Sequence, residues 1–151
     1  MALDIDGIMD VIVTHAQSTG WFATVQEHES KQSGTNSLTA GVWVERIDPI
    51  KSSGLNSASV RLELEMRLYA SPMTEPYDAI DSNLVKATDA LFTAYIGDFE
   101  LGGEARHIDV FGAYGQGLGV RVGILNQSGR EYRVFQIRIP IVIDDVWPES
   151  P

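Results

Sequence analysis

The chain has 151 residues, 44% hydrophobic and 21% charged, a size and balance that suit one globular domain with its own core. It contains no cysteine, which excludes thiolate zinc sites, iron–sulfur clusters, disulfide bridges and thiol nucleophiles together. Its formal net charge of −10 argues against a surface that grips nucleic acid, because such a surface needs Lys and Arg to displace counterions from phosphates.

The first residues carry Asp4, Asp6 and Asp10 where a secretory signal carries positive charge. No run approaches the ~20 apolar residues that cross a bilayer, so a protein made and kept in water, with no membrane partner, is expected. Ile5, Ile8, Met9, Ile12, Val13 and Ala16 recur at three- and four-residue steps and predict a helix, capped by Asp4 or Asp6 and stopped at Gly20. Trp21 to Glu29 reads as a strand and Ser30 to Ser37 as a polar loop. Leu38 to Asp48 is a second strand, with Leu38, Ala40, Val42 and Val44 on one side and Trp43 on the other.

The third strand has the strictest pattern. Val60, Leu62, Leu64, Met66, Leu68 and Ala70 alternate with Ser59, Arg61, Glu63, Glu65, Arg67 and Tyr69, so a period of two places apolar residues on one face and charges on the other. The charged face reads either as a solvated surface or as a subunit interface. Pro72 and Pro76 end the strand, and a second helix is predicted from Tyr77 to Ile96, with Ile80, Leu84, Ala87, Leu91 and Tyr95 as its apolar stripe. After Gly97 and the Gly102-Gly103 turn, a short strand is expected over Arg106–Phe111, then a glycine-rich run to Gly119. A hairpin of strands follows, Leu118 to Asn126 and its return through Ile143, joined by Gln127-Ser128-Gly129. Pro140 cannot donate to a ladder and predicts an edge or a bulge. Asp144 to Pro151 reads as a short polar tail. The whole is one domain, residues 1–151, of α+β class. A mixed, mostly antiparallel sheet packs against two main helices in the order α-βββ-α-βββ, with hairpin-connected strands.

Chemistry is sparse. His15, His28 and His107 show neither HExxH nor HxH spacing, and neighbours in Glu27-His28-Glu29 point to opposite strand faces, so no metal site is expected. The glycines at 112, 115, 117 and 119 lack the G-x-G-x-x-G spacing and the following helix of a phosphate loop, and no Walker lysine accompanies them. No serine sits in a G-x-S-x-G context. No catalytic residue and no cofactor are predicted. The charge, however, is unevenly placed: Thr74 to Asp109 carries eight acids against Lys86 and Arg106, whereas Leu118 to Ile139 carries Arg121, Arg130, Arg133 and Arg138 against Glu131. Arginine suits interfaces, and a subunit with one acidic and one basic surface can join head to tail and close into a ring. The candidate interface residues are Arg61, Glu63, Glu65, Arg67, Arg121, Arg133 and Arg138.

Several segments together resemble the tail terminator, or tail completion, proteins of long-tailed siphophages, especially those infecting actinobacteria. They are Val60-Arg61-Leu62, the run from Glu75 to Asp81, Asp89 to Tyr95, Gly97 to Gly103, and Ile108 to Ala113. Tyr132-Arg133-Val134, Ile139-Pro140-Ile141 and Asp144-Asp145-Val146-Trp147 add to the pattern, as do Gly20-Trp21-Phe22 with Glu29 and Lys31, and Gly41-Val42-Trp43. The resemblance implies a compact subunit that assembles as a hexameric ring on the last ring of the tail tube and stops its polymerisation. It also implies a surface for the head completion complex and a lumen through which DNA passes unbound. Such a protein belongs to the virion, at the head-proximal end of the tail, and is assembled in the host cytoplasm. Ser30–Ser37 and Phe111–Gly119 are candidate docking loops. Three other readings stay open: another neck or head–tail connector protein, a small-molecule-binding or enzymatic α+β domain, and an oligomeric cellular protein.

Overall fold

The computed structural model describes residues 3–27, 38–51, 57–70, 80–127 and 129–148. Helix α1 spans Ile5–Ser18, strand β1 Phe22–Gln26, β2 Leu38–Ile50 and β3 Ser57–Ala70. Helix α2 spans Ile80–Gly97, and a 3-10 turn, Leu101–Gly103, leads to β4 (His107–Ile108), β5 (Gly119–Gln127) and β6 (Arg130–Pro148). The order α-βββ-α-βββ and the α+β class are as expected. The strands form one six-stranded sheet in the order β1-β2-β3-β6-β4, with β5 also paired to β6.

Local chemistry sets the helix ends. The Asp4 carboxylate accepts a hydrogen bond from the Gly7 amide at 3.1 Å, satisfying one of the orphan donors of α1. Gly20, at φ +77°, takes the left-handed conformation that ends the helix cheaply. Ile8, Met9, Ile12 and Ala16 of α1 and Leu84, Ala87, Leu91 and Tyr95 of α2 are buried on the same side of the sheet.

The core lies between those helices and the β3–β6 pair. Leu62, Leu64, Met66 and Leu68 are opposite Ile141, Ile139, Ile137 and Phe135 in an antiparallel ladder, and this apolar set is the helix-facing side. On the other flank of β3, Ala40 and Val42 of β2 pair with Leu68 and Met66. A bulge between Val44 and Arg46 then shifts the register, so Arg46 and Asp48 join the polar face while Ile47 turns to the helix side. The two helices are tied directly. The Tyr95 hydroxyl donates to the Ile12 carbonyl at 2.9 Å, and the His15 Nε2 lies 2.9 Å from Asp98 Oδ2. Burial pushes the Tyr95 phenol far above its ordinary range, so it remains a donor. The His15 hydrogen bond, then the Gly102 amide, hold the Asp98 carboxyl below its usual value.

Four expectations are corrected. First, β1 pairs with β2 in parallel, not as a hairpin. The predicted loop Ser30–Ser37 lies outside the described residues, as do Tyr77 to Ala79 at the expected start of α2. Second, β4 is shorter than predicted. Third, β6 runs through the expected tail: Trp147 pairs with Ala58 and Pro148 with Ser57, so residues 144–148 are strand. The long β3 supplies a partner ladder there, which a polar composition does not preclude. Fourth, Pro140 is interior, because β6 lies between β3 and the β4/β5 side. Its nitrogen faces the gap where β5 has ended at Arg138 and β4 begins at Ile141. The Pro140 carbonyl on that side accepts from the Asp109 amide at 2.8 Å. The ladder is interrupted where proline needs it to be.

Replacing Tyr95 with Phe removes the second donor to the Ile12 carbonyl, which keeps its place in the α1 ladder. Urea unfolding is expected to show a loss of about 1 kcal/mol. Unchanged stability would show that the bond does not hold α1 to α2.

Candidate assembly interface

The polar face of the sheet is organised around one buried ion pair. Arg61 on β3 is 6% exposed and Asp109, just after β4, is 2% exposed. Arg61 Nε lies 3.5 Å from Asp109 Oδ2, and Arg61 Nη2 donates to the Gln116 carbonyl. Asp109 also accepts from the amides of Ala113 at 2.7 Å and Tyr114 at 3.1 Å. Arg138 on β6 donates from Nε to the Gly117 carbonyl at 3.0 Å. Two arginines and one aspartate thus strap the glycine-rich loop onto the sheet, and each charge is paired or hydrogen-bonded, as burial requires.

The glycines make this close approach possible. A Cβ at Gly115 would sit 2.9 Å from Arg61 Cζ, and one at Gly117 would sit 2.5 Å from the Val110 carbonyl oxygen. Gly112, at φ +78°, adopts a conformation that side chains disfavour. The run is therefore a tightly folded strap rather than a phosphate cradle.

The strap holds an aromatic outward. Phe111 is 98% exposed. Beside it, Ile96 and Phe99 at the end of α2 are also exposed, and with His107, Ile108, Val110 and Ala113 they line a recess of about 430 Å³. A second apolar surface lies on β5. Val120, Val122 and Ile124 are opposite Ile137, Phe135 and Arg133, which puts them on the helix-facing side. They are nevertheless 42%, 46% and 64% exposed, because α2 packs over β3 and β6 and α1 over β1. Val85 and Ile96 of α2 are exposed as well. Exposed apolar rows of this kind are available for contact with a partner.

The predicted interface residues divide accordingly. Arg61, Glu63 and Arg138 come together: Glu63 Oε1 is 3.6 Å from Arg61 Nη1 and 3.8 Å from Arg138 Nε. Glu65 is opposite Arg138 in the ladder. Its carboxyl is raised above 4.5, first by burial and then by Glu45 and Glu63, while Arg138 and Arg67 pull the other way. Arg67 lies over the Trp43 ring, 5.0 Å from its centroid, and donates to the Tyr69 hydroxyl. Arg133 points to the helix side and pairs with Asp81 of α2 at 2.9 Å. Arg121 is exposed on the polar face of β5 and makes no ion pair among the described residues. Sequence reasoning missed Asp109 and the β5 row, and it reached Phe111 only as the first residue of the candidate docking loop Phe111–Gly119. A phenylalanine at the head of a glycine-rich run was the available signal for Phe111. The β5 row alternates as buried residues do, and only the positions of the helices reveal that it is open.

No described helix is long and apolar enough to cross a membrane. No protein-family model matches the sequence, and no curated protein matches it. Among solved structures, the chain is similar to the sheath/tube terminator of an extracellular contractile injection system, PVC, seen by cryo-electron microscopy in its extended state. The TM-score is 0.42 at 10% identity, covering 100% of this chain and 62% of that one, so the chain spans less than two-thirds of that protein's length. At this distance the likeness assigns no function.

Replacing Asp109 with Ala leaves buried Arg61 with Glu63 as its remaining carboxylate and takes the acceptor from the Ala113 and Tyr114 amides, which frees the strap. Chemical unfolding is expected to show a loss of about 3 kcal/mol, with new protease cleavage inside residues 110–118 under native conditions. Wild-type stability and resistance would mean that the ion pair does not hold the loop.

Proposed function

We propose that the chain is a structural virion protein, a tail terminator subunit of a siphophage, and not an enzyme. It caps the tail tube as a hexameric ring, stops tube polymerisation and offers its opposite side to the head completion or connector protein. Its partners are further copies of itself, the major tail tube protein and the connector. DNA crosses the lumen without specific binding, in keeping with the acidic balance of the chain. The setting is the head-proximal end of the tail.

The observation that carries this reading is Phe111, 98% exposed on a loop strapped down by the Arg61–Asp109 pair. A buried charge cluster and three close-packed glycines hold an aromatic out in water, where it gains nothing within its own chain. Aromatic anchors of this kind supply much of the binding energy at protein interfaces. Capping needs only such anchors on one side and the lack of a surface that recruits another tube subunit. The sequence segments that resemble tail terminators include Ile108 to Ala113, which contains Phe111.

The test is capping of tail tubes grown from purified tube protein. The wild-type chain is expected to stop elongation and to leave a ring at one tube end under the electron microscope. Phe111→Ser is expected to weaken capping about tenfold or more while melting at the wild-type temperature. Tubes that elongate unchanged with wild-type protein present would overturn the proposal.

A further inference from the structure

Among the described residues the sheet is open on both sides: β1 pairs only with β2, and beyond β6 the long β5 and the two-residue β4 each pair only with β6. We infer that these two edges are made for each other, so that β5 of one copy takes β1 of the next as an antiparallel neighbour and the sheet continues from subunit to subunit. The inference deepens the ring reading above and rests on it for its setting, because it names the contact that builds the ring.

Strand polarity supports the match. β1 is parallel to β2, β2 antiparallel to β3, β3 to β6, and β6 to β5. β1 and β5 therefore run in opposite directions. When a copy is rotated about an axis parallel to the strands, its β1 meets the neighbour's β5 antiparallel, the pairing that hydrogen-bonds best.

Register and side-chain parity also match. Following the ladders across the sheet, Val25 lies in one row with Ala40, Leu68, Phe135 and Val122. Gln26 lies in the next row with Gly41, Arg67, Gln136 and Arg121. At zero shift, Val25 of one copy is level with Val122 of its neighbour, both on the helix side. Gln26 is level with Arg121, both on the polar side. Any odd slip would put apolar residues on the wrong face.

Cover agrees. Among the described residues α1 lies over β1 and α2 over β3 and β6, while Val120, Val122 and Ile124 of β5 stay exposed. A neighbour that docks by β1 brings α1 with it, and α1 then covers that row. Charge agrees as well: exposed Glu27, just past the end of β1, comes to the same end of the contact as Arg121, near the start of β5. Because β5 gives and β1 takes, the contact is head to tail, and repetition under rotation closes a ring. An open edge is otherwise a hazard that proteins blunt.

The chain has no cysteine, so introduced thiols report without background. Two double variants of the full chain are made, Q26C with R121C and V25C with V122C. Adjacent rows alternate between wide and close pairs, so one of the two has the shorter spacing. Each is oxidised gently at concentrations where light scattering shows oligomers of the wild-type chain. The expected result is a ladder of disulfide-linked multimers up to the ring size from at least one double variant. Single variants alone should give none, and two complementary singles mixed should give dimers only. Cross-linking of R121C or V122C alone would replace the inference with a β5–β5 dimer. Oligomers without any ladder would overturn the edge contact and leave the ring reading standing. A strict monomer without a ladder would also overturn the contact, and tube capping would then decide the terminator reading separately.

Discussion

Everything in this molecule hangs on the pairing of β3 with β6. Those strands are the two longest, and they share a ladder from Ala70 and Arg133 at one end to Ser57 and Pro148 at the other. Their helix-facing residues form the floor on which α2 lies and beside which α1 docks. Each then acquires a further partner, β2 on one flank and β5 with β4 on the other. The apolar surface buried along this pair is the main source of stability for the fold, since burial of such side chains is the dominant favourable term in folding.

The opposite face of the same pair solves a different problem. Charged residues on adjacent strands at the sheet's centre would be exposed if nothing covered them, and desolvated without partners if something apolar did. The strap from Asp109 to Leu118 covers one end and brings its own acceptors: the Asp109 carboxylate, the Gln116 carbonyl and the Gly117 carbonyl. At the other end Trp43 and Tyr69 flank Arg67. The Arg61, Asp109 and Arg138 cluster of the polar face thus finds its partners within the chain and carries an aromatic on its cover, which links the packing of the sheet to the surface the protein offers outside.

How much of this was legible depends on what each residue pattern encodes. The strict alternation of β3 carries the core and its two faces in full, because the period of two leaves no other arrangement. The helices are similarly plain from Ile8, Ile12 and Ala16, and from Leu84, Leu91 and Tyr95. The parallel pairing of β1 with β2 is not legible, since side-chain alternation is the same for either polarity. Pro140 correctly signals a ladder interruption but not that the interruption lies inside the sheet. The arginines were selected as interface residues by charge alone, and charge does not say that Arg61, Arg133 and Arg138 have partners in their own chain. The openness of Val120, Val122 and Ile124 is a property of where helices stop, which lies in tertiary structure and not in the local pattern.

The proposed assembly puts the work of this protein in its sheet edges and exposed anchors. Amide hydrogen exchange, compared between dilute monomer and assembled protein, tests it most directly. Assembly is predicted to protect the outward-facing amides of Phe22–Gln26 and Gly119–Gln127, while the β3–β6 ladder, already slow, changes little. Protection that appears elsewhere, with both edges exchanging as fast as in the monomer, would contradict it.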